Sequence, residues 1–203
     1  MIDIVIRCAE GTDDFQQIAS CIYLTDPFIY PAAFGPDIRQ AANAISKLMS
    51  IEDGLFHPNN LVIAVHGEKI CGILLYNKDG AAWNRSECID LVQGIVPSIK
   101  NFCYVSDAYF SAEAISPPKK HIEIVACCVM PEFRKMGISK CMFDWLIKEY
   151  IGYTFTLDVL AENLAAISLY KKYGFLMVEE HKGFSLEEAT RPDCYRMLRH
   201  SCS

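Results

Sequence analysis

Apolar and polar residues alternate over residues 2–7 (IDIVIR), which predicts an opening strand. Phe15, Ile18, Ala19, Ile22 and Tyr23 then recur on one helical face, with Thr12 placed to cap that helix. The segment Thr25 to Pro31 ends it, because its two prolines do not fit inside a helix. A second helix is expected from about Asp37, with Ile38, Ala41, Ala42, Ile45, Leu48 and Met49 as its apolar stripe. Leu61–His66 and Lys69–Tyr76 read as two strands, and Gly67-Glu68 fits a hairpin turn between them. From 77 to 120 the pattern weakens. A helix around Glu87–Val96, ended by Pro97, and a loop at Ser116-Pro117-Pro118 are expected there.

The pattern sharpens again at His121–Val129, a strand rich in apolar and β-branched residues. Met130 to Phe133 reads as a turn. Ile138, Cys141, Met142, Trp145 and Leu146 mark the next helix, and Thr154–Leu160 a further strand. Asn163 is a good N-cap for a helix that closes with Lys171 and Lys172 and stops before Gly174. Phe175–Val178 and Tyr195–Leu198 complete the strands. The order is β-α-α-β-β, a segment 77–119, then β-α-β-α-β-β, which predicts one mixed α/β domain over residues 1–203.

Composition supports a packed domain: 52% of the 203 residues are hydrophobic and 22% charged. The longest uncharged stretch, Gly54 to Gly67, is too short for a spanning helix, and Asp3 and Arg7 interrupt the only apolar run of the N-terminus. A cytoplasmic protein, neither secreted nor membrane-bound, is expected. Twenty-five acids against nineteen bases give a formal charge of −6. Nucleic acid is not expected as a partner, since phosphates call for a basic footprint. The ten cysteines form no CxxC and the five histidines stand far apart, so no metal site is expected and the thiols read as reduced core residues.

The chemistry-bearing unit is strand, turn, helix over residues 121–147. Arg134, Lys135, Met136, Gly137, Ile138 and Ser139 open a helix directly after a buried strand. Helix openings carry unpaired N–H groups and a positive dipole end, which suits an anion such as a diphosphate. Gly137 lets the main chain approach closely, Ser139 adds a hydroxyl, and Arg134 and Lys135 add charge. An ordinary capped turn uses the same residue types.

The wider context resembles a known family. R-x-x-G-x-S after a strand ending V-x-P is similar to the signature of the GNAT superfamily of acyl-CoA-dependent N-acyltransferases, whose last position is Gly or Ala where this chain has Ser139. Asn163, Ala166, Leu169, Tyr170, Gly174 and Phe175 resemble the family's second element, at the family's usual separation. The likeness is sharp over about 120–180, compatible but unspecific over 1–76, and says little about 77–119.

The resemblance implies a mixed, mostly antiparallel sheet with a splayed central strand pair and helices on both faces. It implies acetyl-CoA as co-substrate, its pyrophosphate held by the backbone of Arg134 to Ser139 and its pantetheine arm along the strand edge at Cys127 and Val129. Asn163 would contact the same ligand. Tyr170 would serve the departing thiolate, and the N–H of Cys127 the carbonyl oxygen. An amine must be neutral to attack, yet alkyl amines have pKa values near 10, so a base is wanted. Glu123 is the candidate, acting through a water relay and expected on one strand face with Val125, Cys127 and Val129.

The acceptor groove is expected at Asp26, Phe28 and Tyr30, with Tyr76, Asp107, Tyr109 and Glu123 as neighbours. Aromatic rings beside acids would suit a cationic amine. A small-molecule amine is the favoured acceptor. A protein N-terminus or lysine, a longer acyl donor, and a non-catalytic acyl-CoA-binding regulatory module remain as alternatives. The insert 77–119 reads as a flap over the groove or a homodimer contact, and the sequence does not choose.

Overall fold

Seven strands form the main sheet in the order β1-β2-β3-β4-β5-β9-β6. The computed structural model describes residues 3–78, 84–109, 119–186 and 189–201. Along the chain run β1 (Val5–Cys8), α1 (Phe15–Tyr23), α2 (Ile29–Phe34), α3 (Ile38–Leu48), β2 (Leu61–His66), β3 (Lys69–Lys78), α4 (Arg85–Val92) and α5 (Ile99–Tyr109). They are followed by β4 (His121–Val129), α6 (Ile138–Glu149), β5 (Thr154–Leu160), α7 (Leu164–Lys172), β6 (Leu176–His181), β7 (Phe184–Leu186), β8 (Ala189–Arg191) and β9 (Cys194–Arg199). Every neighbouring pair in the main sheet is antiparallel except β4–β5.

Each face of the sheet has its own core. On one side Ile18, Ile22, Phe34, Ile45 and Phe102, from α1, α2, α3 and α5, cover Ile63, Ile73 and Leu75. On the other, Ile138, Met142, Phe143 and Leu146 of α6 and Ile167 of α7 cover Leu74, Ile124, Phe155 and Leu157. The described cysteines are free thiols, most of them buried as small core residues.

Several local expectations are corrected. Asp14, not Thr12, caps α1: its carboxylate accepts from the N–H of Gln16 and Gln17. Pro31 does sit in a helix, as the third residue of α2, where its missing N–H had no intrahelical partner to lose. The helix expected over Glu87–Val96 is α4, shorter and capped by Asn84. A second helix, α5, follows it; Phe102 meets Phe34 edge-on at 5.5 Å and docks this segment on α2. The small β7–β8 hairpin was not anticipated, and Ser116-Pro117-Pro118 lies outside the described residues.

Candidate active site

Two irregularities in β4 create the site. The first is a fork. β4 and β5 pair in parallel from His121↔Thr154 only as far as Ile124↔Leu157, and beyond that rung they diverge. The second is a bulge. Leu75 of β3 pairs with Ala126 and Tyr76 with Ile124, so Val125 is an extra residue in β4.

The bulge reverses the parity of the strand. Ile122 and Ile124 face the α6–α7 core, as do Cys127 and Val129, whereas Ala126 and Cys128 face the α1–α5 core. Glu123 therefore does not share a face with Cys127 and Val129, as simple alternation predicts. It stands on the α1–α5 side, and Cys127 and Val129 on the α6–α7 side.

A cleft of about 170 Å³ opens at the fork and joins the two sides. Thr25, Asp26, Ile29, Tyr30, Asn77, Glu123, Asp158 and Arg191 line it, together with Cys127, Asn163 and Tyr170. On its α6–α7 side, burial pushes the Cys127 thiol up to about 12, with Cys128 adding to the shift. Burial also raises the Tyr170 phenol above its usual value. That ring is enclosed by Phe143 (5.5 Å between centroids) and Phe175 (6.0 Å), yet keeps partial exposure through the cleft. Both groups stay protonated at neutral pH. No covalent acyl-cysteine chemistry is expected from a thiol so far from ionising. Asn163 caps α7, its side-chain oxygen accepting from the N–H of Ala166 at 3.2 Å.

The opposite side is charged. Arg196 of β9 holds Asp158 by two bonds, Nε to Oδ1 at 2.8 Å and Nη2 to Oδ2 at 2.9 Å, and reaches Glu123 Oε1 at 3.2 Å. Asp26 uses Oδ1 to accept from the N–H of Phe28 and Ile29 at 2.8 and 2.9 Å, and its Oδ2 faces Arg191 Nη2 at 3.6 Å. Tyr30 is buried in the cleft wall, and that burial raises its phenol.

The remaining predicted acceptor residues are not brought to the cleft. Phe28 contributes its N–H to the Asp26 cap rather than its ring to the lining. Tyr76 points to the other face and bonds Asn59 and Tyr150. Asp107 pairs with Arg85 at 2.8 Å on the surface. The side chain of Tyr109 lies outside the described residues. Sequence reasoning missed Asp158, Arg191 and Arg196, whose partnerships join strands distant in the chain.

The turn into α6 has the conformation that an anion site needs. Lys135 and Gly137 both have positive φ, 63° and 80°, and Gly137 is the N-cap. Successive amides in such a turn converge on one side. A Cβ on Gly137 would meet nothing within 4 Å, so its left-handed backbone, not crowding, is what calls for glycine. Residues 134–137 are exposed and Arg134 Nε donates to the carbonyl of Val129 at 3.2 Å. A diphosphate fits this turn, and beyond the fork the β4 edge that leads from it is no longer paired with β5.

The model of the acetyltransferase (GNAT) family matches residues 30–175. The chain belongs to that family of acetyl-CoA-dependent transferases. Solved GNAT structures share its fold at low identity. An N-acetyltransferase from Staphylococcus aureus Mu50 is 15% identical with a TM-score of 0.65, over 96% of this chain and 100% of that one. A Corynebacterium glutamicum protein described as histone acetyltransferase HPA2 and related acetyltransferase is 15% identical with a TM-score of 0.67, over 98% and 97%. The ribosomal-protein-S18-alanine N-acetyltransferase of Escherichia coli is 16% identical with a TM-score of 0.57, over 99% and 96%. No curated protein matches the chain. Among the described residues no helix is long and apolar enough to cross a membrane.

Proposed function

We propose that this GNAT enzyme transfers the acetyl group of acetyl-CoA to the primary amine of a small molecule by direct attack. The observation that carries this reading is the cleft through the fork, with a carboxylate on one side of the sheet and a protonated phenol on the other. Acetyl-CoA supplies an activated acyl group. Residues 134–139 hold its diphosphate by main-chain N–H groups, and Asn163 and the β4 edge at Cys127 and Val129 guide its arm into the cleft. The N–H of Cys127 steadies the carbonyl oxygen as charge develops on it.

Glu123 takes the amine's proton through water, from the opposite side. Tyr170 has a phenol less acidic than a thiol of ordinary pKa near 8.5, so it hydrogen-bonds the departing thiolate rather than surrendering its proton. A purely regulatory acyl-CoA-binding module would need neither group. A small acceptor is favoured over a protein terminus because the Asp26–Arg191 pair bridges the α1–α2 loop and β8 at the cleft, with side chains only 16% and 11% exposed. An extended peptide would have to part it.

The test is release of free CoA thiol from acetyl-CoA across a panel of small amines and N-terminal peptides, after calorimetric titration of acetyl-CoA alone. Amine-dependent release with small amines is expected. Failure to bind acetyl-CoA at millimolar concentration, or turnover confined to peptides, overturns the reading.

A further inference from the structure

We propose that Cys21 of α1 and Cys128 of β4 are a reversible redox pair, closed into a disulfide by a hydroperoxide that enters beside α1 and α3. Both thiols are buried in the core on the α1–α5 face of the sheet and interact directly with one another. The Cys21 sulfur also stands 3.4 Å from the Met130 sulfur. A groove of about 300 Å³ opens onto Cys21 and Met130, and its rim of Gln16, Gln17, Ser20 and Arg39 is polar. A small polar oxidant can therefore reach the pair without crossing the core. Cys127, next to Cys128 in the chain, faces the opposite core and does not compete.

The surroundings divide the two thiols into one that attacks and one that resolves. The contact with Cys21 holds the Cys128 thiol below its usual range, with Arg134 assisting against burial. The same contact, together with burial, pushes the Cys21 thiol up. Cys21 keeps its proton and can turn it from Met130 to the Cys128 thiolate. A readily ionised thiol beside a resolving cysteine is what peroxide-sensing pairs use. The Cys128 thiolate attacks one peroxide oxygen and the O–O bond breaks. The leaving oxygen takes a proton from solvent and departs as an alcohol or water, and Cys128 becomes a sulfenic acid. The Cys21 sulfur then displaces hydroxide from Cys128, and that hydroxide leaves as water with the Cys21 proton. Two thiols are oxidised to one disulfide and one hydroperoxide is reduced.

Cys128 sits between Cys127 and Val129, the edge residues proposed to guide the arm of acetyl-CoA, and pairs with Ile73 of β3. A disulfide is only about 2 Å long, shorter than any contact between separate thiols. Closing it draws this rung of β4 towards α1 and shifts the edge on either side. The pair stands by itself; this consequence rests on the proposed function.

The full-length protein, fully reduced, is exposed to a small excess of hydrogen peroxide. Its remaining thiols are alkylated and its peptides mapped by mass, beside a sample returned to dithiothreitol. We expect the Cys21 and Cys128 peptides to be joined with loss of two hydrogens, and to separate on reduction. Calorimetry should show the Kd for acetyl-CoA raised about 10-fold by oxidation and restored by reduction. Cys21→Ala should form no joined peptide and keep the Kd of the reduced protein before and after peroxide. The map of the unaltered protein uses no variant, so it decides the question even where Cys21→Ala fails to fold. Both thiols still alkylated after peroxide, Cys128 joined to another cysteine, or a joined pair with unaltered affinity for acetyl-CoA overturns the proposal. If the reduced protein binds no acetyl-CoA, the proposed function falls, while a Cys21–Cys128 link still establishes the pair.

Discussion

Arg196 reaches Glu123 across a whole strand. It lies on β9, Glu123 lies on β4, and β5 runs between them, yet Nη2 stands 3.2 Å from Oε1. On the way the same guanidinium binds Asp158 of β5 twice. Glu123 and Asp158 flank the last paired rung, Ile124↔Leu157, so the arginine ties both strands together where they part. Arg196→Ala should cost about 1–3 kcal/mol of stability, because it removes the guanidinium that two mostly buried carboxylates bind. Urea denaturation checks this. Arg196→Lys should recover part of the loss, since a lysine cannot make the two-bonded contact to Asp158.

Tyr170→Phe should lower kcat by about 10-fold or more while changing KM for acetyl-CoA by less than about threefold. Tyr170 lines the cleft, and its ring packing on Phe143 and Phe175 survives the substitution. Because its pKa is raised, the group stays protonated as pH climbs through the usual value of 10, so no loss of activity below pH 10 should trace to Tyr170. Comparison of wild-type and variant pH–rate profiles checks both statements.

Gly137→Ala places a side chain where there is room but where φ is 80°. The expected cost is about 1 kcal/mol of stability and a weaker Kd for acetyl-CoA, as the turn relaxes and its amides diverge. Calorimetry and denaturation together separate the two effects.

Phe143 is fully buried and touches the rings of Tyr170, Tyr173 and Phe175. Phe143→Ala should destabilise by about 3–5 kcal/mol through the cavity it leaves. A fall of the thermal midpoint by about 6–20 °C would register it.

Acid stability should depend on Asp13. The hydrogen bond from Arg7 holds its carboxyl below the usual range, with the Glu10 N–H assisting against burial. Its stabilising contribution is therefore complete above the unfolded value near 3.9 and is lost as pH falls through the lower folded value. Asp13→Asn should be less stable than wild type at pH 7, and the gap should close below about pH 4. Urea midpoints measured from pH 7 to pH 2 test it.

Much of the fold was legible because its elements declare themselves locally. Thr154–Leu160 is a strand with the predicted ends and Asn163 caps α7 as the pattern implies, while the α6 stripe holds at Ile138, Met142 and Leu146 but not at Cys141, which is exposed, and omits the buried Phe143. α5 is hidden in the sequence although Ile99, Phe102, Cys103 and Ser106 recur at helical spacing, because Pro97 reads as an ending and is in fact a boundary between two helices. The residues proposed for the cofactor side come from motif and spacing. Asp158, Arg191 and Arg196 do not, since strand pairing, not proximity in the chain, assembles their cluster. The face of Glu123 was misassigned for a different reason. Partly exposed and buried positions keep alternating without a break from His121 to Val129, so the burial pattern conceals the extra residue.

That extra residue makes the segment far more tolerant of exchange than of a change in length. Deleting Val125 would turn everything before it upside down. Glu123 would be driven in among Phe155 and Leu157, and Ile122 and Ile124 would be left facing the arginine that now holds an acid. Relatives of this chain can therefore vary which side chains stand at these positions, but a frame slip of one residue there would dismantle the fork's chemistry while leaving every strand in place.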